Sequence, residues 1–111
     1  KKFKCKIISC KTIRDKNKVA LSSRNLLLNK KDLKKVGKLI SDLMVFKKKL
    51  TNNNLKKSLL EKKKYLTNFY GIKIEYLDLR NKFNFKKTKT KKNSKLFICF
   101  YIKKVRLIDN F

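Results

Sequence analysis

Apolar and basic residues alternate from Lys2 to Ser9, with Phe3, Cys5 and Ile7 set between lysines, and this period of two predicts a strand. An extended stretch follows from Cys10 to Arg14, then a polar turn at Asp15, Lys16, Asn17 and Lys18. The next residues, Val19-Ala20-Leu21-Ser22-Ser23-Arg24-Asn25, are too polar at their centre for a core strand and read as a loop. From Lys30 the period changes. Leu33, Val36, Ile40, Leu43 and Met44 recur at helical spacing, Asn29 is placed to cap, and Asp32 sits near the positive end of the helix dipole. A helix to about Lys49 is predicted, broken by Thr51, Asn52, Asn53 and Asn54. Leu55, Leu59, Leu66 and Phe69 make a second stripe, which stops where Gly71 can take the left-handed closing conformation. Two antiparallel helices are expected.

Ile72, Ile74 and Tyr76 alternate with Lys73 and Glu75, predicting a strand to about Arg80, after which the basic stretch Asn81 to Lys95 reads as a loop. Leu96 to Ile102 has the composition of a buried strand, and Val105 to Ile108 is a second. Lys103 and Lys104 between them make a hairpin with poor turn chemistry, since tight hairpin turns favour positive φ. The order strand, loop, two helices, three strands describes an α+β unit without internal repeats.

Composition adds charge to this picture. The chain has 111 residues with 34 Lys+Arg against 7 Asp+Glu and no His, for a formal net charge of +27. That length suits one domain or less and is too short for an ordinary two-domain enzyme; with Lys1 opening a strand already in progress, the chain reads as cut from something longer. The charge points toward nucleic acid or an anionic surface. Its supply argues the other way. Only Arg14, Arg24, Arg80 and Arg106 are arginine, although arginine is the better residue for bidentate phosphate and base recognition, and the lysines are spread along the whole chain. Proline and Trp are absent and Gly numbers two, as a coding sequence drifting toward A and T would produce. Cys5, Cys10 and Cys99 form no C-x-x-C pair and have no histidine to join them, so they read as buried thiols in a reducing cytoplasm rather than a zinc or disulfide framework; no metal ligands are assigned. The longest apolar stretch, Leu96 to Ile102, is too short to cross a bilayer, and a soluble cytoplasmic protein is expected.

The candidate chemistry lies in the Ser-Ser-Arg-Asn loop. Two hydroxyls, exposed backbone N–H groups and a guanidinium ahead of a helix can surround a polyphosphate and stabilise charge on a leaving pyrophosphate. The bland reading is a solvated loop that caps the following helix. Context tips the balance. Thr12-Ile13-Arg14-Asp15, then Ala20-Leu21-Ser22-Ser23-Arg24-Asn25, then Ile74-Glu75-Tyr76-Leu77-Asp78-Leu79-Arg80, and finally Arg106-Leu107-Ile108-Asp109-Asn110 resemble, in order and spacing, the corresponding segments of the pantothenate synthetase family. The resemblance covers the chain from Lys6 onward.

That resemblance implies the carboxy-terminal portion of an ATP-dependent ligase joining pantoate to β-alanine through a pantoyl adenylate, with release of AMP and pyrophosphate and support from Mg2+. It implies the last strand of a Rossmann-type nucleotide-binding domain with its ATP loop over residues 1–25, then a carboxy-terminal domain over 26–111 made of two helices and a three-stranded antiparallel sheet. Leu21, Ser22, Ser23 and Arg24 fall on the family's ATP-contacting segment, with Arg24 as clamp on the phosphates, and Ile13 falls where an apolar residue contacts the nucleotide. The family's histidine signature and its pantoate and β-alanine contacts belong to the amino-terminal domain, so the chain alone is expected to be inactive, and a homodimer would form largely through that other domain. Two departures stand out. Lys18 and Lys103 replace family glycines where positive φ is expected, at a cost of order 1 kcal/mol each. Arg106 and Asp109, three apart, are expected to form a structural ion pair. The competing readings are a lysine-rich nucleic-acid-binding protein, with Phe83 and Phe85 stacking on bases beside Lys86 to Lys95, a basic amphipathic membrane helix at Lys30 to Leu50, and a decayed, inactive remnant of the ligase. Solvated lysine runs argue against nucleic acid as the partner, and the need for the helix's apolar face in the core argues against a membrane.

Overall fold

A computed structural model of the protein describes residues 11–111. The expected strand from Lys2 to Ser9, the end of the Rossmann-type domain, lies outside these residues. Asn29 caps the first helix, α1 (Lys30–Lys49), its side-chain oxygen accepting from the Asp32 N–H at 2.8 Å. Val36, Leu39, Ile40 and Leu43 are buried along its inner face, while Leu33 and Met44 pack at the edge of the core. Asn54, in the left-handed conformation that asparagine tolerates, turns the chain into α2 (Leu55–Tyr70), which closes on Gly71 at φ 62°. Lys62 pairs with Asp42 and lies over the ring of Phe46, Tyr70 reaches Asp42, and Gly71 lies beside Lys35. Contacts thus run backward along α1 as they run forward along α2. The helices are antiparallel, as expected.

The buried stripe of α2 departs from expectation at one position. Phe69 is 66% exposed and stacks on Tyr65, whereas Tyr70 is buried. Tyr70 follows Leu66 by four residues and keeps the phase of Leu55, Leu59 and Leu66, so it occupies the inward place.

Strands β1 (Lys73–Asn81), β2 (Ser94–Ile102) and β3 (Val105–Asn110) form an antiparallel sheet in the order β1-β2-β3. β1 carries a bulge between Ile74 and Tyr76. The extra residue, Glu75, shifts the alternation, so Ile74, Leu77 and Leu79 face the core and Tyr76 does not, against the simple alternation of Ile72, Ile74 and Tyr76. Pairing also carries the strands past their apolar stretches. Arg80 faces Lys95 and Asn81 faces Ser94, while Asp109 and Asn110 continue β3 against Ile98 and Phe97. Leu96, Ile98, Phe100, Ile102 and Leu107 complete the core against the helices, and Cys99 is a buried thiol as expected. Lys47 fastens the last residue, its ammonium donating to the Phe111 carbonyl at 2.7 Å and the Ser94 carbonyl at 3.3 Å; burial, then the nearby Lys95 and Lys91, lowers its pKa.

Both lysines at the predicted glycine positions adopt positive φ, 68° at Lys18 and 55° at Lys103. Lys103 turns the β2–β3 hairpin and places its ammonium 2.8 Å from Asp32, which is otherwise buried. Among the described residues no helix is long and apolar enough to cross a membrane.

Candidate functional site

Residues Ile13 to Leu21 double back on themselves. The Leu21 N–H donates to the Ile13 carbonyl at 3.0 Å, Arg14 bridges Ala20, and the Asp15 N–H donates to the Val19 carbonyl at 2.9 Å. Asp15 builds the turn with its side chain, one carboxylate oxygen accepting from Asn17 N–H at 2.7 Å and Val19 N–H at 3.0 Å. Val19, at 4% exposure, anchors this small hairpin in the core. The turn rests directly on α1 at Gly37, where an added Cβ would lie 2.6 Å from the Asn17 carbonyl oxygen. Gly37 is therefore required by close approach.

Ser22 then caps a 3-10 helix (Ser23–Leu27), its Oγ accepting from the Arg24 N–H at 3.2 Å. It stands where the sequence predicts a loop; the short helix comes from the cap and from two i to i+3 bonds, Asn25 N–H to Ser22 carbonyl and Leu28 N–H to Asn25 carbonyl, both 3.1 Å. Asn25 reaches back to the Ala20 carbonyl at 2.9 Å. Leu28 is buried and ends the segment.

Between this segment, α1 and β3 lies a cavity of about 370 Å³. Leu21, Val36, Ile40, Phe100 and Leu107 supply its apolar lining, and Ser22, Arg24 and Asn25 a polar wall. The structure thus brings together Leu21, Ser22 and Arg24. Ser23 is exposed and outside the lining, and Ile13 lies beside Leu21 across the hairpin, 71% exposed where Leu21 is 60% exposed. Asn25, the last residue of the Ser-Ser-Arg-Asn motif but without an assigned role in it, and the carbonyl of Arg106 also join the site. The Oδ1 of Asn25 is buried without a hydrogen-bond partner, and among the described residues it is the one such side-chain atom. An asparagine after Ser-Ser-Arg carries no sign of this by itself.

The arginines divide by partner. Arg14 holds Asp109 through two short bonds, Nη1 to Oδ2 at 2.6 Å and Nη2 to Oδ1 at 2.9 Å. Arg80 pairs with Asp78 at 3.0 Å, and Arg106 with Glu75 at 2.9 Å. Arg106 and Asp109 therefore do form ion pairs, but not with each other as expected: three apart on one strand, their side chains point to opposite faces of the sheet and meet different elements. The Glu75 carboxyl is held below the usual carboxylate range by the Arg106 guanidinium and then by the Tyr101 hydroxyl, and Glu75 raises Arg106 in return. Arg24 is the remaining arginine. It has no carboxylate, and its Nη1 donates to the Arg106 carbonyl at 3.1 Å at the cavity wall.

Residues 1–111 match the protein-family model described as Pantoate-beta-alanine ligase. The chain belongs to that family. Pantothenate synthetase from Wigglesworthia glossinidia brevipalpis is 34% identical over 115 residues, covering 97% of this chain and 40% of the relative. The enzyme of Francisella tularensis subsp. mediasiatica is 35% identical over 106 residues, covering 96% of this chain and 33% of the relative. The crystal structure of the Thermus thermophilus pantothenate synthetase aligns with a TM-score of 0.73 at 22% identity, over 90% of this chain and 37% of that one, and so has the same fold. A pantoate–β-alanine ligase from Francisella tularensis, solved with β,γ-ATP and β-alanine, aligns with a TM-score of 0.59 at 33% identity, over 96% of this chain and 33% of that one. The chain thus spans about 40% of the length of the family members it matches. Two helices against a three-stranded antiparallel sheet are the expected carboxy-terminal arrangement of this family.

Proposed function

We propose that the chain is the carboxy-terminal portion of an ATP-dependent ligase that forms pantothenate from pantoate and β-alanine through a pantoyl adenylate, releasing AMP and pyrophosphate. The observation that carries this reading is Arg24. Among the described arginines it alone has no carboxylate partner, and it stands with Ser22 on one wall of a cavity in a chain of this family. A family member of 33% identity has been solved with a nucleotide and β-alanine.

In this reading residues 1–25 complete a nucleotide-binding domain and residues 26–111 cover it. A guanidinium with most of its donors free stabilises negative charge gathering on the β- and γ-phosphates as pyrophosphate leaves, and the Ser22 and Ser23 hydroxyls add donors. The Ser22 Oγ accepts from the Arg24 N–H, which leaves its own proton free to donate. Ile13 and Leu21, both exposed, offer the apolar side of the site to the adenine. Mg2+ supports the first step in this reading; it is commonly held by one or two carboxylates together with the substrate phosphates, so it needs no cluster of three acids, and among the described residues there is none. Pantoate and β-alanine contacts belong, in this proposal, to an amino-terminal domain, which also carries a homodimer contact; the setting is cytoplasmic.

The test is AMP release by the full-length protein in the presence of ATP, pantoate and β-alanine. Turnover should require both organic substrates and fall at least about tenfold in Arg24→Ala, equivalent to about 1.4 kcal/mol of transition-state stabilisation. A folded wild-type protein that releases no AMP would overturn the active-ligase reading in favour of an inactive remnant. Salt-dependent binding of single-stranded oligonucleotides by that same protein, weakened by Phe83→Ala, would favour the nucleic-acid reading.

A further inference from the structure

Arg14 is bound more completely than any other side chain in the site segment. Its Nη1 donates to Asp109 Oδ2 at 2.6 Å and to the Lys18 carbonyl at 3.0 Å; its Nη2 donates to Asp109 Oδ1 at 2.9 Å and to the Asn110 carbonyl at 3.2 Å. The guanidinium carbon also lies 5.2 Å from the centre of the Phe111 ring. The side chains of Arg14 and Asp109 are 18% and 6% exposed, so water competes weakly for them. One guanidinium therefore joins three things: the base of the 13–21 hairpin, the turn of that hairpin at Lys18, and the end of β3.

The second attachment of the same segment to β3 is Arg24 on the Arg106 carbonyl. Residues 106 and 109 are about 10 Å apart along a strand. The segment from 14 to 24 is thus fastened to β3 at both ends, with the cavity between the two points. The fastenings differ in kind. Arg14 has all four terminal N–H groups engaged and an ionised partner, whereas Arg24 spends, among the described residues, one N–H on a carbonyl.

We propose that Arg14 and Asp109 are positioning residues for the phosphate-binding wall: they hold the hairpin in register with β3, so that Arg24 can turn from the Arg106 carbonyl to a phosphate without the Leu21–Asn25 segment moving. This rests on the ligase reading for the ligand, but the mechanical part stands apart from it. A guanidinium bridging two carbonyls and a carboxylate has a fixed planar geometry that lysine lacks.

The experiment uses the full-length protein with Asp109→Asn and, because that variant could fail to fold, also with Arg14→Lys, which keeps the charge. Amide hydrogen exchange is followed at Val19, Leu21 and Asn25 and, as reference, at Leu43 and Ile98. In the folded variants exchange should rise about tenfold at the first three and stay unchanged at the last two. The KM for ATP should rise severalfold, with the KM for β-alanine within about twofold of wild type, because misplacement of a binding group by about 1 Å is costly. Equal acceleration at all five amides, or none, would overturn the proposal by showing a purely global role or no role. A loosened hairpin with an unchanged KM for ATP would overturn it as well. If the wild type releases no AMP, the ligase reading fails and the exchange pattern alone decides whether the pair holds the wall.

Discussion

Residues 11–28 and residues 30–111 are held together by different forces. In the larger region two helices bury apolar stripes against a sheet, and Leu43, Leu66, Leu96 and Ile98 have no measurable exposure. In the smaller one only Val19 and Leu28 are buried, while Ile13, Leu21, Leu26 and Leu27 are exposed, and the shape comes from Asp15, Asn25, Ser22 and the reach of Arg14 to Asp109. Apolar burial is non-directional and tolerates small shifts in detail, whereas a polar segment needs each donor and acceptor in place. A rigid apolar body thus presents a wall set by individual hydrogen bonds. The lesson is that stability and site geometry in this chain can be altered separately.

The largest effect should come from the body. Leu43→Ala, which empties a site with no exposure, should lower unfolding free energy by about 3 kcal/mol in denaturant titration. Both regions should then unfold together, since the segment has no core of its own; a segment that keeps its protection after the body melts would break the comparison. Gly37→Ala comes next and probes the boundary. The new Cβ, 2.6 Å from the Asn17 carbonyl oxygen, must push the 15–18 turn off α1, while the helix itself gains about 1 kcal/mol in propensity. Exchange at Val19 and Leu21 should accelerate with a global change under about 1 kcal/mol; a loss as large as that of Leu43→Ala would show that the turn is part of the body. The smallest effect is a gain. Lys18→Gly relieves a left-handed residue at φ 68° and should stabilise by up to about 1 kcal/mol, about 4–8 °C in Tm if it is realised in full. Lys103→Gly should gain less, because it also removes the ion pair to Asp32. Equal gains at both sites would mean that the Lys103–Asp32 pair contributes nothing.

Much of this was legible in the chain. Both helices, the Asn29 cap, the Gly71 stop and three strands follow from residues within a few positions of one another, because caps, turns and periodicity act over one or two turns of backbone; the positive φ at Lys18 and Lys103 was expected from the resemblance, whose glycines they replace. The family resemblance singled out Ile13, Leu21, Ser22, Ser23 and Arg24; Leu21, Ser22 and Arg24 line one cavity, while Ile13 and Ser23 lie outside its lining. The bulge at Glu75 was not legible, since an extra residue in a strand shows only against its partner strand. The exchange of Phe69 for Tyr70 is a matter of phase: both are aromatic and adjacent, but Tyr70, four residues after Leu66, keeps the stripe and reaches Asp42 on α1.

The sequence by itself therefore determined the order and type of the elements and, through its motifs, the family to which the chain belongs. Which cation meets which anion was decided only by the tertiary structure. With 34 basic residues for 7 acids, local spacing offers nearly every carboxylate several partners. Folding brings Asp109 to Arg14, 95 positions away, and Glu75 to Arg106, 31 positions away. Among the described arginines, Arg24 is the one this distribution leaves without a carboxylate, and it donates to the Arg106 carbonyl at the edge of the cavity. Coulomb attraction acts through space and falls with distance, so its pairing is set by the packing of helices and strands and not by position in the chain.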